Sequence, residues 1–301
     1  MNRIISILLV FSSIFVQYSC DGKKKSKKDN TEKSSKKTDL TEDYQVYEVP
    51  SELDEISGIA FIDANNLVAV QDEDGTVYYY NLDSQKITDK KDFAGDGDYE
   101  DLAIAGNDLY VAASSGELYE IKNFRSGNSK ALLLKTPFNG KNNIEGLAYD
   151  AQKNRLLFAP KDKGLDNDKD KEIYAFDLKT KTLNTTPVFS LSLTQIEDYF
   201  KGDALEESSK KFLKAIGNQN LNEVFRPSAL AIHPSSHEIY ILSSINNLIA
   251  VLNPDGTLKK IIKLKGEEFL QPEGLAFTSD GKLYVSNEGK GGKANIILLT
   301  L

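Results

Sequence analysis

The 301-residue chain contains no tryptophan, one methionine, one cysteine and two histidines. A lone cysteine excludes an internal disulfide framework, and with so little histidine there is no ligand set for zinc, copper or iron. Long apolar runs are scarce too. The stretch Ile4 to Val16 has 13 residues, too few to cross a hydrocarbon layer of roughly 30 Å. It follows the positive Met1-Asn2-Arg3 and precedes Tyr18-Ser19-Cys20, the pattern of a cleaved export signal over residues 1–19.

Cys20 stands where a signal peptidase would leave a new N-terminus, directly after a small residue. The segment resembles a bacterial lipobox, with Gln17 in the place usually taken by leucine. This reading makes Cys20 the lipidation site and predicts a domain outside the cytoplasm, lipid-anchored in the plasma or outer membrane of a bacterial envelope. The alternative is a soluble secreted chain cut near Ser19 that keeps an unpaired thiol. Residues 20–43 are rich in Lys, Ser, Asp, Thr and Glu and nearly free of apolar side chains, so they form a disordered tether. Its early lysines, Lys23, Lys24, Lys25, Lys27 and Lys28, are placed to touch anionic headgroups or to serve as a solvated spacer.

Residues 44–301 carry 28 Lys/Arg against 39 Asp/Glu, a net charge of −11. Such a domain is a poor binder of nucleic acid, whose phosphates are neutralised by basic clusters. Cations and basic partners suit it better, and a monomer is expected.

What the chain does have is a repeat. Ile56-Ser57-Gly58-Ile59-Ala60 returns as Tyr99-Glu100-Asp101-Leu102-Ala103, Ile144-Glu145-Gly146-Leu147-Ala148, Pro227-Ser228-Ala229-Leu230-Ala231 and Pro272-Glu273-Gly274-Leu275-Ala276. The alanines lie 43, 45, 83 and 45 residues apart, and a period in the forties with several short strands per copy marks propeller blades. The third interval holds one blade plus an insertion of about 38 residues. Period-two patterns broken by Gly, Asn and Asp predict four strands in each of the first four blades and three in the fifth. Tyr44 to Val49 is expected to supply the missing strand and close the ring, which removes two exposed sheet edges. The expected fold is therefore all-β, a five-bladed β-propeller closed by an N-terminal strand, with six blades as the alternative. Within the insertion, residues 193–223 are predicted to form two short helices, with capping boxes at Thr194-Gln195-Ile196-Glu197 and Asp203-Ala204-Leu205-Glu206.

In a ring of this kind the starts of the innermost strands and the ends of the second strands meet on one face around the axis. Alignment on the alanine puts Glu55, Ser57, Glu100, Glu145, Arg226, Ser228 and Glu273 there. The second strands add Asp72, Glu73, Ser114, Lys161, Asp162, Ser244, Asn246, Asn287 and Glu288. The ligand-binding set is read as Glu55, Ser57, Asp72, Glu100, Glu145, Lys161, Arg226, Ser244, Glu273, Asn287 and Glu288. Clustered carboxylates need compensation. Lys161 and Arg226 can act as internal counter-ions, or a hard cation, Ca²⁺ with Mg²⁺ as the alternative, can bind Glu100, Glu145, Glu273 and Glu288 through oxygen.

Two other motifs lose force. Asp166-Asn167-Asp168-Lys169-Asp170 resembles a calcium loop, but Lys171 stands where an EF-hand needs glycine. His233 and His237 fall in a turn on the face opposite the mouth, so neither serves a Ser-His-Asp relay there, and no catalytic residue is assigned.

The run of Glu55, Asp72-Glu73, Asp98-Tyr99-Glu100, Asn143-Ile144-Glu145-Gly146-Leu147-Ala148, Arg226-Pro227-Ser228-Ala229-Leu230-Ala231-Ile232-His233-Pro234, Gln271-Pro272-Glu273-Gly274 and Ser286-Asn287-Glu288-Gly289 resembles the SdiA-regulated family, also called YjiK/CarP-like, of bacterial envelope β-propellers. The resemblance covers nearly all of 44–301. It implies a propeller, membrane association and a link to calcium homeostasis. Two functions fit the residues. One is an anchored binding or scaffold module that takes Ca²⁺ or a small ligand at the mouth and an envelope protein at the rim. The other is a metal-dependent hydrolase of the phytase or lactonase kind, which would need more basic residues at the mouth than Lys161 and Arg226.

Overall fold

The computed structural model describes residues 44–126, 130–166, 169–201 and 225–300. The expected export signal, Cys20, the expected tether and the second helix expected in the insertion lie outside the described residues.

The middle strands explain the architecture. Asn66–Gln71, Asp108–Ala113, Arg155–Pro160, Ile239–Ser243 and Leu283–Asn287 are apolar on both faces, which suits strands covered on both sides. In the first of them, Leu67 and Ala69 pack toward one neighbouring sheet while Val68 and Val70 pack toward the other. Each sheet is therefore a slab sandwiched between two more, and five such slabs close into a ring. The core is divided accordingly into five clusters, one between each pair of adjacent sheets. The outermost strands are wetter; in Lys86–Asp92 no residue is fully buried.

The blades run Ile56–Phe61 to Lys86–Asp92, Tyr99–Ala105 to Ala131–Leu134, Ile144–Asp150 to Phe189–Leu191, Pro227–Ile232 to Leu258–Lys263, and Pro272–Phe277 to Asn295–Leu299. Five blades form, not six. Each innermost strand packs against the next, and the fifth returns to the first. Tyr44–Glu48 pairs antiparallel with Asn295–Leu299, with Val46 opposite Ile297, and completes the fifth blade as expected.

Two local readings need correction. The fourth strand expected in the third blade is split into Thr182–Leu183 and Phe189–Leu191, both paired with Lys171–Asp177. Asn184 and Val188 still donate to Ala175 and Ile173, but the chain between them loops out at Pro187, which has no N–H for the ladder. The helix α1, Leu193–Lys201, starts earlier than its expected cap. Ser192 Oγ accepts from the Gln195 N–H at 3.3 Å and Gln195 Oε1 accepts from the Ser192 N–H at 2.8 Å, so the reciprocal box is Ser192-Leu193-Thr194-Gln195. Ile196 then enters the core between the third and fourth blades.

Deleting residues 44–48 would expose the Asn295–Leu299 edge and uncover part of the cluster against the first blade. The expected result is a melting temperature lower by roughly 5–10 °C, equivalent to about 2–3 kcal/mol in a domain of this size, with concentration-dependent light scattering. Unchanged melting would show that closure contributes nothing.

Candidate functional site at the channel mouth

All five innermost strands carry the same irregularity. Their register against the second strand slips between Ile56 and Ile59, Tyr99 and Asp101, Ile144 and Gly146, Pro227 and Ala229, and Pro272 and Gly274. Each slip inserts one unpaired residue, a β-bulge that re-aims a side chain. The bulges fall at Ser57, Glu100, Glu145, Ser228 and Glu273, the position that alignment on the alanine had assigned to the mouth.

The next position holds Gly58, Asp101, Gly146, Ala229 and Gly274, one acid in a column of small residues. The inner strands approach so closely there that a Cβ on Gly58 would lie 2.6 Å from the Asp101 Cα. Asp101 is 1% exposed. Its Oδ1 accepts from the Leu102 N–H at 2.8 Å and its Oδ2 from the Leu147 N–H of the third blade at 2.7 Å. The Leu230 amide of the fourth blade reaches the carboxyl as well. Burial pushes this carboxyl up, and the three amides pull against that shift. The ring of cross-blade bonds continues with Ser228 Oγ donating to the Pro272 carbonyl at 3.0 Å and Ser286 Oγ donating to the Ser57 carbonyl at 2.6 Å. Asp101 thus plugs the axis below the mouth. It was not among the candidates, although its size in that column was a visible signal.

Above the plug, Glu145 is 3% exposed and Glu273 6%. The Lys161 ammonium stands 2.6 Å from Glu145 Oε2, and Asn143 Nδ2 donates to Glu145 Oε1 at 2.9 Å. Burial pulls the ammonium down, but the charges of Glu145, Glu273 and Glu100 prevail and raise it. Burial pushes Glu100 and Glu145 up; Glu145 and Asp98 drive Glu100 further, whereas Lys161 restrains Glu145. Glu273 is pushed up to about 8, first by burial and then by the Glu145 charge.

Other candidates are placed less centrally. Arg226 pairs with Asp162 at 2.5 Å, and its N–H is held by Ser243 Oγ at 2.9 Å. Ser244 is half-buried in the adjoining turn Ser244–Asn246. Asn287 is buried and donates to Asn295 Oδ1 at 3.0 Å within its own blade. A residue missed as structural support is Lys171, which is buried and donates to the Lys161 and Asp162 carbonyls at 2.5 and 3.0 Å, bracing the turn that carries both. Burial lowers its ammonium to about 8.

A second group of acids lies at the junction of the last and first blades. Carboxylate oxygens of Glu55, Asp72 and Glu288 are within 4.8 Å of one another. Of the four carboxylates expected to share a metal, Glu100, Glu145 and Glu273 interact around Lys161, whereas Glu288 meets Glu55 and Asp72. Burial raises Asp72, with Glu55 and Asp98 adding to it, and burial raises Glu288 against the pull of Lys290.

These features define a five-bladed β-propeller with a plugged axis and one acidic mouth. The chain belongs to the SdiA-regulated family, which it matches over residues 34–290. Among solved structures it is similar to the glutaminyl cyclase of Myxococcus xanthus, at 12% identity and TM-score 0.55, covering 87% of this chain and 96% of that one. It is also similar to a streptogramin B lyase, at 12% identity and TM-score 0.46, covering 85% of this chain and 97% of that one. A protein of unknown function from Bacteroides thetaiotaomicron is similar at 15% identity and TM-score 0.48, covering 77% of this chain and 52% of that one. At such identities the likeness concerns the fold alone. No curated protein matches the chain.

Asp101→Asn puts an amide NH₂ where a backbone donor already points, so stability to urea should fall by about 1–3 kcal/mol; an unchanged midpoint would mean that the carboxylate is not needed at the axis. Glu273 has a second, pH-dependent signature. Between its ordinary 4.5 and about 8, the folded chain keeps a proton that the unfolded chain has lost, so stability falls as pH rises through that window. Melting temperature should climb from about pH 8 to about pH 5.5, and Glu273→Gln should flatten the slope. A slope identical in the variant would assign it to other groups.

Proposed function

We propose that the protein is a binding module of the cell envelope, anchored through lipid on Cys20, whose acidic mouth takes a divalent cation or a small cationic ligand. The observation that carries this reading is the mouth itself, where buried carboxylates from several blades face one lysine. Glu145 Oε2 is met by the Lys161 ammonium, whereas among the described residues acceptor oxygens of Asp72, Glu273 and Glu288 are buried there without a hydrogen bond, and such groups call for a bound partner. The oxygen donors suit a hard cation, Ca²⁺ or Mg²⁺. Beside the mouth, Ile245 and Leu270 are large apolar side chains exposed to solvent at strand ends of the fourth and fifth blades, which suits an envelope protein at the rim.

The hydrolase reading has weaker support. The basic side chains available to clamp an anion, Lys161 and Arg226, are already engaged by Glu145 and Asp162. His233 Nδ1 accepts from the Ser235 and Ser236 amides at 3.2 and 3.1 Å and its ring lies against Phe277, so it serves its turn. His237 takes a left-handed turn conformation at φ 58°.

Titration calorimetry of the purified chain with Ca²⁺, Mg²⁺ and spermidine, next to Glu145→Gln, should show heat that the variant weakens. Phosphate esters and lactones offered with and without Ca²⁺ should show no turnover. Turnover that disappears with chelator would replace the binding reading with the hydrolytic one. Cys20→Ser should abolish incorporation of labelled palmitate and release the domain from the membrane fraction; retention in that fraction would remove the anchor.

A further inference from the structure

The face opposite the mouth holds a cleft between the third and fourth blades. Its rim is built largely from the turns that join the first and second strands of those blades, and its volume is about 280 Å³, solvent at the opening included. The floor is apolar, with Ile232 and Ile239 from the fourth blade and Phe189 from the third. Phe189 can lie across the seam because Gly256, at φ 88°, carries no Cβ, which would run into the ring. Three basic side chains line the cleft, Lys153, Arg155 and His237, with Asp150 as the one acid. The Arg155 side chain is only 13% exposed. Its Nε donates to Asp150 Oδ2 at 2.8 Å, and its guanidinium carbon lies 5.9 Å from the centre of the Phe189 ring. Among the described residues Nη1 and Nη2 meet no acceptor. A mostly buried guanidinium that uses one of its five N–H donors internally leaves four to the cleft, and so many unmet donors call for an acceptor. The His237 amide donates to the His233 carbonyl at 3.0 Å, while its ring has no hydrogen bond among the described residues.

From this geometry we infer that the cleft is a second binding site, for a small monocarboxylate with an apolar body. With Nε taken by Asp150, the donors left on Arg155 are those of Nη1 and Nη2, and two parallel N–H bonds from such a fork grip both oxygens of a carboxylate. Charge decides between oxyanions. Arg155 and Lys153 against Asp150 leave one net positive charge on the lining when His237 is neutral. That charge matches a monocarboxylate and would leave a phosphate dianion half uncompensated. Size restricts the ligand further, because the cleft falls below the roughly 300–1,000 Å³ of sites for drug-sized molecules. The body of the ligand would rest on Ile232 and Phe189, removing apolar surface of both blades from water. The site is independent of the mouth, from which it differs in face, in ligand charge and in the residues that form it.

Calorimetry of the purified full chain with benzoate, acetate and inorganic phosphate tests the site. Benzoate should bind more tightly than acetate, because its ring covers the floor, and more tightly than phosphate. Arg155→Lys keeps a cation beside Asp150 but removes the fork, and should weaken benzoate roughly tenfold, the equivalent of one hydrogen bond to a charged group. Lys153→Glu reverses a charge on an exposed residue of the rim, so it keeps the test open even if Arg155→Lys fails to fold; it should weaken benzoate about fivefold. Lys122→Glu, the same reversal at an exposed site on the second blade, should leave benzoate binding unchanged. The absence of benzoate heat at millimolar concentration overturns the site. Phosphate binding more tightly than benzoate overturns it too, as does benzoate binding that survives both Arg155→Lys and Lys153→Glu. Equal affinity for acetate and benzoate would strike the apolar body from the assignment.

Discussion

The molecule depends on a hydrogen-bonding problem at its axis. Each blade keeps a short outer edge that water can reach, but every innermost strand presents a row of backbone groups to the centre, where little water can reach them. Asp101 answers for one side of the ring by accepting from amides of its own, the third and the fourth blades. Ser228 and Ser286 serve the carbonyls of the other side. The acid fits because its four counterparts are glycine or alanine. The near-symmetry of the repeat is therefore broken at one residue, and that break fills the hole which symmetry would leave.

The same local geometry makes the mouth. A bulge one residue before the plug turns Ser57, Glu100, Glu145, Ser228 and Glu273 out of the ladder. Three glutamates at these positions would repel one another without Lys161, which the buried Lys171 supports from below through the Lys161 and Asp162 carbonyls. The mouth is thus electrostatically uneven, held by the Lys161 ammonium toward the third blade and met only by the more exposed Lys290 where the fifth meets the first.

Much of the fold was legible because blades are local objects. Alternating apolar residues and turn breakers such as Gly106, Asn154 and Gly281, all at positive φ, bound the strands closely. The closing strand was legible for a different reason, as the segment left over when the fifth blade fell one strand short. The alignment column also groups Glu145 with Glu273, and both occupy the bulge position of their strands. What stayed hidden was contact between distant segments. Nothing in the spacing of Glu55, Asp72 and Glu288 shows that they meet, because only ring closure brings the first blade beside the last. Lys171 reads as part of a charged loop and is buried because the strand it starts passes beneath the Lys161 turn. The split outer strand of the third blade followed from Pro187, a signal present in the sequence and overlooked.

Closure by the N-terminal strand also sets the order of events in the life of the chain. Tyr44–Glu48 is made before any blade, yet its partner Asn295–Leu299 is made last. Until both segments have been made, the first blade has no final neighbour and the closing strand no ladder. Such distant pairing delays folding, because the entropy cost of closing the long loop comes before the contact that offsets it. It also makes the fifth blade a check on both segments, since loss of either would leave the other an unpaired strand edge.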